Sequence, residues 1–262
     1  MKGDSLRLWG SEMKNRNNKN IELFFRDADA NWWNPNCGHD NRFWLFKAQS
    51  EYIREQLNLH VPICRNIRAL DAGCGRGIHS RLLRNLGYLV TSLDLNPSML
   101  ALTSTIVDSY LVIGSLIDMP FDSHSFDVIV SIGTSMHVPT VETLLSEIHR
   151  VLTPEGIGVI SMANKLSLYV LWTTRINPVL AKHQHLYHRD QFMTWNFKEL
   201  LIQHGFEIVS SEGFAVVPPL SLKSGWRANI INPLMSKLLS WPFDKISGRY
   251  FGCGVTFIIR KI

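Results

Sequence analysis

From Ile67 onward the chain alternates short apolar runs with stretches whose apolar residues recur at helical spacing. Residues 67–71 form an apolar run ending in an acid and glycines, the pattern of a buried strand. Ile78, Leu82 and Leu86 then fall four apart, predicting a helix with one apolar stripe that Gly87 terminates. Residues 88–95 (YLVTSLDL) read as a second strand, after which Asn96 offers an N-cap with Pro97 at the first helical position. The alternation continues with strands over 110–115 and 126–133, a helix over 141–152 and a strand over 156–163. Further on, residues 189–214 read as a helix and then a strand with Gly205 as the cap between them, and GCGVTFIIRKI at the end has the alternation of a closing strand. Strands separated by helical patterns need crossovers. The expected fold is therefore α/β: a Rossmann-like open sheet of mostly parallel strands with helices on both faces and an antiparallel closing strand. Its ligand belongs at the carboxyl ends of the strands, where the loops open a crevice.

Composition narrows the picture without changing it. The 262 residues, 45% of them hydrophobic, suffice for a substantial core, and no repeat or low-complexity linker divides them. We read residues 1–66 as a helical, aromatic-rich N-terminal lead, 67–163 as the ligand-binding core, and 164–262 as a continuation of the same domain with substrate-covering insertions and closing strands. The four cysteines (Cys37, Cys64, Cys74 and Cys253) are scattered, with no C-x-x-C and no histidine pair at metal spacing. That indicates reduced thiols in a cytoplasmic protein, with neither a disulfide framework nor a zinc site. Residues 1–20 lack the apolar core of a signal peptide, and the most apolar stretch, 156–171, is broken by Asn164 and Lys165. Charge is divided unevenly: residues 67–162 carry five basic and nine acidic side chains, a net −4, whereas 163–262 carry 12 basic and five acidic, a net +7. The basic surplus suits an anionic membrane surface, nucleic acid, an acidic substrate or a merely solvated face.

The candidate chemistry begins at the first strand's end. Gly73, Gly75 and Gly77 stand between a strand and a helix, where a tight turn exposes backbone amides and lets a ligand approach the main chain. A phosphate-binding P-loop needs Gly-Lys-Ser/Thr there, but Gly77 is followed by Ile78 and His79. A dinucleotide fingerprint needs a small residue at 78, where Ile is large.

The remaining pattern, Asp71-Ala72-Gly73-Cys74-Gly75-Arg76-Gly77, resembles motif I of the class I S-adenosylmethionine-dependent methyltransferases. Asp94, closing the second strand, is similar to that family's ribose-binding acid, and residues 114–163 resemble the type 11 subgroup across its fourth strand and RVL-x-P-x-G turn. The likeness covers about 100 residues and four motifs in order. It implies S-adenosyl-L-methionine as cofactor. Asp94, with Leu95 beside it, would meet the ribose, and the glycines the cofactor's close approach. Asp71 would accept from the cofactor's ammonium, directly or through water, or tie down the loop. Ser115 and Leu116 would lie beside the adenine. Relatives commonly carry Asp where this chain has Ser115, which shifts the adenine amino contact to backbone or to Asp118.

A sulfonium carries its own activation, so what remains for the protein is alignment, exclusion of water and, for a hydroxyl acceptor, a base. His137 in TSMHVP, just past the fourth strand, stands at the crevice as base, pocket residue or packing residue. His183, His185 and His188 form a second cluster read as loop or substrate-pocket histidines, and no metal is expected. The lead, with Trp32 and Trp33, weakly resembles that of the polyprenyl-quinone O-methyltransferases, where it helps close the cofactor site; Arg42 and Lys47 are candidates for the cofactor carboxylate. Leu234, Lys237, Leu238 and Trp241 sit at helical spacing, a basic amphipathic face for a membrane surface, an apolar pocket or the core. The expected activity is methyl transfer to a small, lipophilic or aromatic hydroxyl or carbon acceptor. A tRNA acceptor and a non-catalytic cofactor-binding scaffold are the alternatives.

Overall fold

The computed structural model describes residues 43–62, 66–167, 192–214, 252 and 254–262. Trp32, Trp33, Arg42, the histidines at 183, 185 and 188, and the basic amphipathic stretch at 234–241 lie outside the described residues.

The elements follow the order α1 (Phe43–His60), β1 (Arg68–Ala72), α2 (Ile78–Asn85), β2 (Leu89–Asp94), α3 (Pro97–Ser104), β3 (Tyr110–Ile113), β4 (Phe126–Ser131), α4 (Val141–Val151), β5 (Leu152–Ala163), α5 (Thr194–Gln203), β6 (Phe206–Phe214) and β7 (Gly254–Lys261). Seven strands form one sheet in the order β3-β2-β1-β4-β5-β7-β6. The first five are parallel neighbours, and β7 runs antiparallel to both β5 and β6. This is the expected open sheet, with β7, the sequence's last strand, inserted beside β5.

Strand alternation sorts the core into two layers. Leu70, Ala72, Leu93, Ile129 and Ile160 point to one face, against Leu144, Leu145 and Ile148 of α4 and Phe197 and Leu201 of α5. Ala69, Val90, Val128, Val130 and Val159 point to the other, against Ile53 and Leu57 of α1 and Leu83 of α2. Both faces of the central strands are buried, which is why their sequences read as nearly continuous apolar runs.

Two local expectations meet different outcomes. Asn96 caps α3 as read: its Oδ1 accepts from the Ser98 N–H at 2.9 Å, with Pro97 following. The apolar stripe of α2 holds in part: Leu82 and Leu86 pack half-buried against the core beside Leu83, and Ile78 is half-buried, but the helix also sinks His79 and Ser80 fully into the protein. The reason is the buried carboxylate of Asp71, which draws Ser80 inward as its hydrogen-bond donor. No described helix is long and apolar enough to cross a membrane.

Candidate functional site

The ends of β1, β2 and β4 lie side by side, and the loops leaving them build the site. The glycine turn is anchored from below, where the N–H groups of Gly73 and Cys74 both donate to the Leu93 carbonyl, at 2.8 and 2.9 Å. All three glycines have positive φ (80°, 53° and 74°), the left-handed region that costs other residues strain.

They nevertheless serve different purposes. A Cβ at Gly73 would overlap Cγ2 of Thr134 and press Leu116 Cδ1 at 3.3 Å. At Gly77 it would meet Thr103 Cγ2 at 2.7 Å. At Gly75 it would meet nothing within 4 Å. Two of the glycines are therefore packed against the protein's own threonines, and only Gly75 opens onto free space. Gly73 and Gly77 thus have a packing reason to lack a side chain, beside any approach of a ligand to their backbone.

Asp94 ends β2 with its carboxylate across the turn. Oδ2 accepts from the Gly75 N–H at 2.8 Å and Oδ1 from the Asn96 N–H at 2.9 Å. Burial raises its pKa from the ordinary carboxylate value, against the opposing pull of those N–H groups. The Leu95 N–H is a third backbone donor to the group, and of its roughly four acceptor sites one remains for a further donor. Leu95, beside it, is half-buried.

Asp71 is placed differently. It is 1% exposed, its Oδ2 accepts from Ser80 Oγ at 2.6 Å, and Ser80 continues through Ser92 Oγ to Ser109 Oγ in 2.8 Å steps. Burial pushes its pKa up to about 7. Through Ser80 it ties the end of β1 to the first turn of α2, across the glycine turn between them. Cys74 in the same turn is a buried thiol whose pKa burial pushes up, far from thiolate reactivity. His79, in the first turn of α2, is buried and its pKa is pushed down to about 4. Among the described residues, its Nε2 is the buried side-chain nitrogen or oxygen without a hydrogen-bond partner.

The loop after β4 is locked by hydroxyls that belong to no motif. Ser131 Oγ donates to the Ala72 carbonyl at 3.1 Å and lies 2.6 Å from Thr134 Oγ1. The Gly133 N–H donates to Ser161 Oγ at 2.7 Å, and Ser135 Oγ donates to the Ser161 carbonyl at 2.9 Å. The His137 N–H closes the loop on the Thr134 carbonyl at 2.8 Å, leaving a half-buried imidazole on a fixed support. On the other side of Gly73, Ser115 Oγ accepts from the Ile117 N–H at 3.2 Å and Leu116 leans toward the turn. Thus Gly73, Leu116, Thr134 and the His137 loop meet in one place, while Lys47 is exposed on α1. No cluster of metal-ligating side chains occurs among the described residues.

This assembly has counterparts. Residues 70–160 match the family model described as "Methyltransferase domain". The segment is a class I S-adenosylmethionine-dependent methyltransferase domain. Its type 11 resemblance spans β1 through most of β5, including every loop just described. The methyltransferase chain is 25% identical over 210 residues to the ubiquinone biosynthesis O-methyltransferase of Rickettsia canadensis, covering 77% of this chain and 88% of that protein. In fold it is similar to phosphoethanolamine N-methyltransferase 2 of Haemonchus contortus, solved with S-adenosyl-L-methionine (TM-score 0.60, 18% identity, 92% of this chain and 60% of that one). It is also similar to an S-adenosylmethionine-dependent methyltransferase of Mesorhizobium loti (TM-score 0.56, 18% identity, 82% of this chain and all of the other). The cofactor of the methyltransferase domain is S-adenosylmethionine, and the site fits it. Gly75 faces open space where a side chain would intrude, and the half-buried Asp94 beside it keeps acceptor capacity for a ribose hydroxyl.

Proposed function

We propose that this chain transfers a methyl group from S-adenosylmethionine to a hydroxyl of a small lipophilic or aromatic acceptor, with His137 taking the hydroxyl's proton. The observation that carries the reading is the likeness to a ubiquinone biosynthesis O-methyltransferase over 88% of that protein's length. The half-buried His137 on a hydroxyl-locked loop beside the glycine turn supplies the group such an acceptor needs.

When bound, S-adenosylmethionine supplies a methyl group made electrophilic by a positively charged sulfur. Asp94 accepts from a ribose hydroxyl, and Gly75 leaves the space that a side chain would fill. Leu95 and Leu116 offer apolar surface to the adenine, and Ser115 a hydroxyl. Gly73 and Gly77 set the turn's path, and Asp71 holds that turn through Ser80. His137 accepts the acceptor's proton as its oxygen is alkylated, so that the attacking lone pair is available when the methyl group is in line.

The test is transfer of labelled methyl from S-adenosylmethionine to three acceptor panels: polyprenylated phenols, simple phenols and tRNA. Transfer to a phenolic oxygen, reduced at least tenfold in His137→Ala with cofactor affinity preserved, is the expected result. Incorporation into tRNA that falls steeply with added salt would replace the small acceptor with the nucleic acid that the basic 163–262 stretch could attract. Cofactor binding without turnover on any acceptor would favour the scaffold reading.

A further inference from the structure

The sheet order leaves β3 at one edge, and among the described residues no strand pairs with its outer side. The Gly114 N–H donates inward to the Asp94 carbonyl at 3.1 Å. By strand alternation, the backbone groups of Tyr110 and Val112 also turn toward β2, and those of Leu111 and Ile113 turn outward. An outward row of unpaired N–H and C=O groups is a template for another strand, and proteins usually guard it with charge, proline or a bulge. Residues 109–115, SYLVIGS, carry no charge and no proline.

Among the described residues, topology also leaves this corner without a covering helix. The crossovers β1 to β2, β2 to β3 and β4 to β5 contain or abut α2, α3 and α4, whereas β3 reaches β4 through residues 114–125 without a helix. Tyr110 is 74% exposed, Ile113 60%, Leu89 50% and Ile106 43%. Tyr110 and Ile113 thus expose two large apolar side chains on the four-residue edge strand itself.

We propose that β3 pairs antiparallel with β3 of a second copy of this chain, about a twofold axis through Val112. The occupant follows from the segment's own symmetry. Centred on Val112, Leu111 faces Ile113 of the second copy in a hydrogen-bonded pair, Ser109 faces Ser115, and Tyr110 covers Gly114. Val112 meets its own copy at a non-hydrogen-bonded position. Outward backbone groups then oppose outward groups, aliphatic side chains oppose aliphatic ones, and no like charges meet within 109–115. Centring on Leu111 would instead set Ile113 against Ser109. β3 is only four residues long, so the pairing should be weak and reversible.

Sedimentation velocity of the full chain, from about 1 to 200 µM, tests this in the range where such affinities are read. The weight-average mass should climb from 30.0 kDa toward twice that value. Ile113→Lys, at an exposed site, should weaken association at least tenfold without lowering the melting temperature. Non-hydrogen-bonded partners stand about 4.5 Å apart at Cα, within disulfide reach. Val112→Cys should therefore cross-link to its own copy on mild oxidation, with Tyr110→Cys and the oxidised wild type as controls. A single monomeric species across the range, or a dimer indifferent to Ile113→Lys, would overturn the proposal. So would a Tyr110→Cys cross-link as efficient as that of Val112→Cys.

Discussion

Adding one methyl group at each of two neighbouring glycines should separate packing from ligand space. Gly73→Ala and Gly75→Ala both force an L-residue into the left-handed region (φ 80° and 53°), at about 1–2 kcal/mol each. That cost cancels in the comparison. What differs is the neighbourhood: at Gly73 the new Cβ overlaps Thr134 Cγ2, whereas at Gly75 it meets nothing within 4 Å. Overpacking of this kind costs about 1–3 kcal/mol, and at about 2–4 °C per kcal/mol for a domain of this size Gly73→Ala should melt roughly 2–12 °C below Gly75→Ala. Thr134→Ser removes the offending methyl while keeping the hydroxyl beside Ser131, so in the double variant most of that difference should return. Binding should rank the other way. Titration calorimetry with S-adenosylhomocysteine should show Gly75→Ala losing more than tenfold in affinity, because its Cβ projects into the space opposite Asp94. If Gly75→Ala binds like the wild type, or if Gly73→Ala is no less stable than Gly75→Ala, the division of labour among these glycines is wrong.

Asp94→Asn keeps the shape but turns one acceptor oxygen into a donor facing a backbone N–H; S-adenosylhomocysteine affinity should fall more than tenfold by calorimetry. His79 titrates near 4 when folded against about 6.5 when unfolded, so the unfolded chain gains the extra proton first and stability is lost as pH falls from 6.5 toward 4. His79→Leu removes that loss and the orphaned Nε2, and its unfolding midpoint in urea should match or exceed the wild type's at neutral pH, with the advantage widening in acid. Asp71 has the opposite sign: its folded pKa near 7 lies above the unfolded value of 3.8, so the neutral form's contribution is complete below 3.8 and lost as pH rises to about 7. The stability of Asp71→Asn relative to the wild type should therefore climb between pH 4 and 7 and then level off; a flat difference would mean that Asp71 titrates at its ordinary value.

How much of this was legible in the sequence depended on the range of the interaction. The succession of elements along the chain up to β5, the Asn96 cap and the break at Gly205 are written in neighbouring residues, and the structure places them within a few positions of where the pattern does. The face of α2 was legible only in part, because the stripe that packs Leu82 and Leu86 on the core is a local signal, while the carboxylate that pulls Ser80 inward belongs to the preceding strand. The glycines show the same limit more sharply. Their spacing announces a turn that excludes side chains, but the atoms that exclude them at Gly73 and Gly77 belong to Thr134 and Thr103, which carry no motif. The serines and threonines that fix the β4 loop were equally silent, since a hydroxyl at a strand end looks the same in sequence whether it meets water or a buried carbonyl.

The contact between Gly73 and Thr134 also constrains how such a site can change. Gly73 belongs to the glycine turn proposed to meet the cofactor, and Thr134 belongs to the loop that carries His137; Ser131 stitches the same loop to the Ala72 carbonyl at the root of that turn. The two loops are thus one packed unit. A substitution at Thr134 that enlarges the side chain pushes on the glycine turn, and one at Gly73 pushes back on the His137 loop. Cofactor affinity and acceptor chemistry should therefore respond together to changes at this junction, whereas changes at Gly75, which touches no side chain of the loop, should move cofactor affinity alone.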